Sequence, residues 1–254
     1  TIALNDARKL VGIGPDNAIA IDFLRAEDQS EAQASLRIYH HGEPVTLSRR
    51  VPLLENMGFR VVSEQTFEIP EGDDGKTLIF LHNMELESAD GAPIDLSDGG
   101  GLFEAVFLSV WHGAADNDGY NALGRVARLA PDQIGVLRAY GRYLQQACIP
   151  QSPEFVAVVL VRYPEIARLM AQLFMLRLDP SLGGDDGKEA QDRIAAALED
   201  VPSLDDDTIL RRFLNLVLAT LRTNHFAPPV TGVSLALKLD SRAVTGLPEP
   251  RPWR

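Results

Sequence analysis

Phe59-Arg60-Val61-Val62-Ser63-Glu64-Gln65-Thr66-Phe67-Glu68-Ile69 and Leu78-Ile79-Phe80-Leu81-His82-Asn83-Met84-Glu85-Leu86 flank the turn-rich stretch Pro70-Glu71-Gly72-Asp73-Asp74-Gly75. Side chains two apart in a strand share a face. The alternation therefore predicts one strand face carrying Phe59, Val61, Ser63, Gln65, Phe67 and Ile69, and a second carrying Leu78, Phe80, His82, Met84 and Leu86. The intervening turn residues make the pair a hairpin.

Working upstream, Thr46 to Met57 has helix length, with Leu47, Val51 and Leu54 at helical spacing and Gly58 placed as the left-handed residue past the end. Pro52 sets the expected start near Ser48, since proline fits the first turn of a helix. Leu36, Ile38 and His40 alternate as a strand before it, as do Ile19, Ile21 and Phe23. From residue 36 the order is strand, helix, strand, strand, helix, which is most of a βαββαβ unit, an α+β sandwich with helices on one face of an antiparallel sheet. Residues 1–35 are set apart as a lead-in segment with one strand, and residues 36–97 as the α+β module.

From residue 98 to 200 the pattern becomes helical. Phe103, Val106, Phe107, Val110 and Trp111 form one apolar stripe, stopped by Gly113. Asp118 caps the next turn; Pro131, Ser152-Pro153-Glu154 and Pro164-Glu165 are helix starts, the last helix running to Leu178. Asp179 to Gly187 reads as a loop, followed by a helix to about Asp200. Ser203 caps a long helix expected over Leu204 to about Asn224. Val233, Leu235, Leu237 and Leu239 then alternate as a strand, and Pro248, Pro250 and Pro252 make an extended lead toward a further domain. Residues 201–254 are grouped on that basis. The fold class is α+β followed by a mainly α-helical domain.

Composition narrows function by exclusion. A net charge of −12 over 254 residues, with no basic cluster, disfavours nucleic acid as a partner. No apolar run approaches the roughly 20 residues that span a bilayer, and Thr1 to Leu10 lacks the apolar core of a signal peptide. A cytoplasmic location follows. The lone Cys148 gives no disulfide framework. Among the histidines, His40 and His82 share a sheet face but lack the third ligand a catalytic zinc needs. Gly12-Ile13-Gly14-Pro15 reads as a turn, Gly99-Gly100-Gly101 as a junction, and Asp205-Asp206-Asp207 as acids favoured by a helix dipole. Glu64 and Glu68 lie about 13 Å apart along a strand, too far to act as a coupled acid–base pair. No catalytic, metal or cofactor residue is assigned.

Three stretches carry a family resemblance. They are Val51-Pro52-Leu53-Leu54-Glu55-Asn56-Met57-Gly58-Phe59-Arg60-Val61 with Glu64 and Glu68-Ile69; Asn117-Asp118-Gly119-Tyr120-Asn121 leading to Leu137-Arg138-Ala139-Tyr140; and Val201-Pro202-Ser203-Leu204-Asp205 through Ile209-Leu210-Arg211-Arg212-Phe213, Thr220-Leu221-Arg222-Thr223-Asn224 and Lys238-Leu239-Asp240-Ser241 to Pro252. In this order they resemble the large, multidomain NAD-specific glutamate dehydrogenases of bacteria. The resemblance implies an ACT-like module, then a helical connector, then a lead into a catalytic domain. NAD would be the cofactor of the whole enzyme, with none held by this stretch. It also implies the rest of the same polypeptide as partner, a homo-oligomer, and an amino-acid effector. ACT-like modules bind such effectors at the first strand–helix loop, which places the candidate residues at His41, Gly42 and Glu43, with Asn56 and Gly58 at the far end of the helix. The alternatives are a purely structural oligomerisation module without ligand, and a self-contained enzyme with an unfamiliar site.

Overall fold

The computed structural model describes residues 2–71, 77–147, 150–183, 187–228, 234–249 and 251. Gly72 to Gly75 of the expected hairpin turn, Cys148, Val233, Pro250 and Pro252 lie outside these residues. The chain divides into two compact units, Thr1–Arg125 and Val126–Arg254.

The first unit is built on a four-stranded antiparallel sheet in the order β1-β2-β4-β3, with β1 at Ile19–Leu24, β2 at Gln33–His41, β3 at Phe59–Glu71 and β4 at Thr77–Ser88. The strand placed in the lead-in segment is an edge strand of this sheet. β1 pairs with β2 from Ile19↔His40 to Leu24↔Ser35 and closes the side that the later elements leave open. The βαββαβ arrangement is thus completed from the front of the chain. Helices α2 (Leu47–Asn56) and α3 (Gly101–Trp111) cover one face. Phe103 of α3 meets Phe23 and Phe59 in edge-on contacts at ring separations of 5.5 Å, a geometry that aromatic quadrupoles favour. Helix α1 (Ile2–Val11) serves the other face: Leu10 and Ile13 pack on Tyr39 and Ile79, and Asp6 takes hydrogen bonds from Arg37 and Tyr39.

Two sequence expectations need correction here. Pro52 lies inside α2 rather than in its first turn, because the helix begins at Leu47 after Thr46. A proline there withholds one amide from the helical ladder. More consequentially, the register of β3 against β4 shifts between Val61 and Ser63. A β-bulge inserts one unpaired residue, so every side chain beyond it changes face. Phe59 and Val61 stay with the helix-covered face, opposite Ser88 and Leu86. Beyond the bulge it is Glu64, Thr66 and Glu68 that join this face, opposite Met84, His82 and Phe80. Ser63, Gln65, Phe67 and Ile69 turn to the opposite side. The strict alternation first expected holds for only part of the strand.

Past the one-turn helix α4 (Leu123–Val126), α5 (Pro131–Gln146), α6 (Pro153–Arg162), α7 (Pro164–Leu178) and α9 (Leu204–Ala219) of the second unit pack on one another, with α8 (Lys188–Glu199) against α7 and α9. Leu137, Tyr140, Val159, Leu173, Phe213 and Leu216 are fully buried among them. Ser152 and Ser203 cap α6 and α9 by accepting from the amides of Phe155 and Asp206. Helix α9 ends at Ala219, earlier than the expected Asn224. Thr220 returns its hydroxyl to the Leu216 carbonyl at 2.7 Å and takes the Tyr140 hydroxyl at 2.7 Å, and the chain leaves as strand β5 (Thr220–Thr223). That strand pairs with β6 (Leu237–Leu239).

Gly58 closes α2 with φ +83°, and a Cβ there would sit 2.9 Å from Arg125 Nε. Arg125 is held in place by a two-pronged pair with Asp90 at 2.9 and 3.0 Å. Gly58→Ala therefore meets both left-handed strain and a displaced ion pair. We expect a loss of about 2 kcal/mol, read as a lower urea midpoint with unchanged slope; an unchanged midpoint would contradict this account of the turn.

Candidate functional site

A charged residue on the apolar stripe of a helix requires a buried partner. Arg50 shares the buried face of α2 with Leu53 and Leu54, and its side chain is 3% exposed. The bulge at Val62 places Glu64 against it: Arg50 Nη2 donates to Glu64 Oε1 at 2.8 Å. The same carboxylate oxygen accepts the Thr66 hydroxyl. His82, on the neighbouring strand β4 and 1% exposed, completes the cluster.

Backbone chemistry fixes the state of His82. The Val45 amide donates to His82 Nε2 at 3.0 Å, and an amide N–H can only donate, so Nε2 carries no proton. The ring proton is therefore on Nδ1, where it reaches Thr66 Oγ1 at 2.8 Å and Glu64 Oε1 at 3.3 Å. Burial, reinforced by the Arg50 charge, pulls the His82 pKa down against the opposing pull of Glu64, which keeps the ring neutral. Burial alone would raise the Glu64 carboxyl, but Thr66, the Arg50 guanidinium and His82 together hold it below the usual carboxylate range. Burial also lowers the Arg50 pKa, and Nε and Nη1 of its guanidinium have no hydrogen-bond partner among the described residues. The cluster links four segments: the loop before α2, α2 itself, edge strand β3 and strand β4.

The residues predicted from sequence fall at opposite ends of α2, about 15 Å apart along its ten residues. At the loop end, the His41 amide donates to the Ala18 carbonyl at 2.8 Å and the Gly42 amide to that of Leu78 at 2.9 Å. Gly42 has φ +82°, and the exposed Glu43 accepts from His40 Nδ1 at 2.8 Å through its carbonyl. Of the loop amides predicted to bind an effector, those of His41, Gly42 and Val45 thus already have partners within the fold. Arg49 stacks its guanidinium 3.4 Å above the Trp111 ring at the same end. At the far end, Asn56 donates to Asn117 Oδ1 at 3.0 Å, and Gly58 backs Arg125.

Sequence reasoning passed over Arg50 and Thr66, weighed Glu64 only as half of a pair with Glu68, and considered His82 only as a metal ligand. Two signals were available: Arg50 in register with Leu53 and Leu54, and His82 within an apolar alternation. Among the described residues, no group of three or more His, Cys, Asp or Glu could hold a metal ion, and no helix is long and apolar enough to cross a membrane. The cluster is built to fix a loop, since its imidazole and guanidinium are enclosed.

These ionisations make stability depend on pH with a defined sign. A histidine kept neutral in the fold contributes stability above its unfolded value, about 6.5, and loses it as pH falls below that value. Glu64, held low, contributes above the ordinary carboxylate range and loses its contribution as pH falls through its depressed value. Stability should thus decline in two stages on acidification. Urea titrations should show the upper stage missing in His82→Gln and the lower stage missing in Glu64→Gln. Glu64→Gln should also cost about 2–3 kcal/mol at pH 7, because it strands a buried guanidinium beside a partly exposed site. An acid profile in both variants identical to that of the original chain would contradict the assignment.

Comparisons with known proteins match three stretches of the chain. A model of the glutamate dehydrogenase ACT3 domain matches residues 18–98, which include all four strands of the first sheet. The helical motif 3 model of glutamate dehydrogenase matches residues 115–180, and the catalytic domain of bacterial NAD-glutamate dehydrogenase matches residues 193–254. The NAD-specific glutamate dehydrogenase of Halomonas elongata is 35% identical over 255 residues, and that of Pseudomonas aeruginosa 31% identical over 259, in each case covering 98% of this chain. The Mycobacterium tuberculosis enzyme of the same name is 31% identical over 250 residues, covering 93%. The chain spans 16% of the length of the first two relatives and 15% of the third. Matched by these three segments in the order the sequence predicts, the chain belongs to the family of large bacterial NAD-specific glutamate dehydrogenases.

Proposed function

We propose that this chain is a non-catalytic regulatory and scaffolding region of an NAD-dependent glutamate dehydrogenase. The whole polypeptide, on this reading, converts L-glutamate, NAD and water to 2-oxoglutarate, ammonia and NADH in the cytoplasm, as a homo-oligomer. NAD belongs to that larger enzyme, and the partner of this stretch is the remainder of its own chain. Residues 1–35 and 36–97 act as one sensing module, 98–200 as a connector, and 201–254 as the passage into the catalytic domain.

The observation that carries the regulatory reading is the bond from Val45 to His82. It couples the 41–45 loop to a buried charge cluster that reaches α2 and the edge strand β3. An amino acid held at His41, Gly42 and Glu43 would then bear on the whole module, with Asn56 and Gly58 as the second candidate position. A different observation favours the purely structural alternative: the His41, Gly42 and Val45 amides are already satisfied within the fold.

Thermal unfolding against amino acids, 2-oxoglutarate and NAD separates the two. An effector at 100 times its dissociation constant adds about 2.7 kcal/mol. We expect an amino acid to raise the midpoint and Gly42→Val to remove that rise, because valine cannot adopt the left-handed backbone cheaply. No response to any amino acid would leave the structural reading standing.

A further inference from the structure

The Val45 amide is held by a group that can change its chemistry. Its acceptor is the Nε2 lone pair of His82, at 3.0 Å. Two neighbouring loop amides rest on backbone carbonyls instead: His41 on Ala18 and Gly42 on Leu78. A carbonyl keeps its lone pairs at every pH, whereas a neutral imidazole loses its one free pair on taking up a proton. Pro44 has no amide to offer. Among these three amides, only that of Val45 loses its acceptor in acid.

Geometry decides which contact yields. The Nδ1 proton of the ring already reaches Thr66 Oγ1 at 2.8 Å and Glu64 Oε1 at 3.3 Å. A second proton can enter only at Nε2, where it meets the Val45 N–H, donor against donor. Arg50 from α2 and His40 from β2 oppose a positive ring, while Glu64 from β3 favours it. The charged ring thus keeps its bond to Glu64 and its place in β4, which is paired on both sides, by β2 and β3. Across the broken bond, Gly42, Glu43 and Pro44 are exposed and lie outside the sheet. The loop, not the sheet, gives way.

We propose that His82 is a proton-operated latch on the 41–45 loop: one proton taken up at Nε2 turns out the Val45 amide and loosens the loop while the sheet stays folded. The consequence for regulation rests on the reading of this loop as an effector site. There, the released amide becomes a donor for the carboxylate of an amino acid. Proton and effector then favour each other's binding, by the same factor in either direction.

Amide exchange of the full 254-residue chain without ligand, followed by NMR from about pH 7.5 to about pH 5, tests the latch. Relative to an unstructured peptide, Val45 should exchange faster below about pH 6.5, by up to about tenfold for each pH unit. His41 and Gly42 should change little. The His82 ring nitrogens and the Val45 amide shift should titrate with one midpoint. In His82→Gln the side-chain carbonyl accepts at any pH, so the Val45 response should flatten. The shared midpoint in the original chain carries the test even where that variant fails to fold. Val45 protected down to the pH of global unfolding, or lost together with the β2 and β4 amides, would overturn the proposal. So would separate midpoints for ring and amide. Titration with L-alanine and L-glutamate at about pH 7.5 and about pH 5.5 then reads the effector coupling. Tighter binding at the lower pH supports it, and equal affinity at both overturns it. Release of Val45 with no amino acid bound at either pH would uphold the latch and sink the effector reading alone.

Discussion

One inserted residue governs the first unit. The bulge at Val62 reverses the parity of β3, and only through that reversal does Glu64 face the helix-covered side of the sheet. Without it, Glu64 and Thr66 would point away from α2. Arg50 would then be enclosed without the Glu64 counter-charge, and His82 without the Thr66 hydroxyl. The bulge is therefore a condition for placing a charged residue under the helix.

Burial of a guanidinium costs several kcal/mol, and the Coulomb attraction of one carboxylate does not by itself recover that cost. Two Arg50 nitrogens without partners among the described residues add to it. The arrangement is tolerable because Glu64 retains some contact with solvent while it accepts from Arg50, Thr66 and His82. An apolar replacement would pack as well, but it would not join the loop, the helix and two strands through directional bonds. Directional bonds also impose a register: the Val45 amide must meet a nitrogen lone pair, and that lone pair exists only while His82 is neutral. The fold thereby holds its first strand–helix loop by the protonation state of one enclosed ring.

Much of this fold was legible because its elements announce their own ends. Gly58, Ser152-Pro153, Pro164 and Ser203 mark boundaries through local backbone chemistry, and each lies where that chemistry requires. What escaped depended on pairing between distant segments. Nothing within Phe59 to Ile69 shows which residue will be left unpaired, since the bulge is defined only against β4. The edge position of β1 likewise depends on β2 lying open beside it. The end of α9 was misjudged because Thr220 to Asn224 continues a helical spacing, while the Tyr140 hydroxyl that meets Thr220 comes from a helix far upstream. The Arg50–Glu64–His82 cluster was hidden for the same reason, although Arg50 among leucines was a visible anomaly. The loop candidates were legible only by resemblance.

The central claim is that His82 is neutral, protonated on Nδ1, and accepts the Val45 amide at Nε2. Long-range nitrogen–proton correlation NMR on the chain labelled at histidine reads this directly at neutral pH. The account predicts a protonated Nδ1, an unprotonated Nε2 shifted by a hydrogen bond, and a Val45 amide protected from exchange. A ring protonated on Nε2 or on both nitrogens, with Val45 exchanging freely, would contradict it.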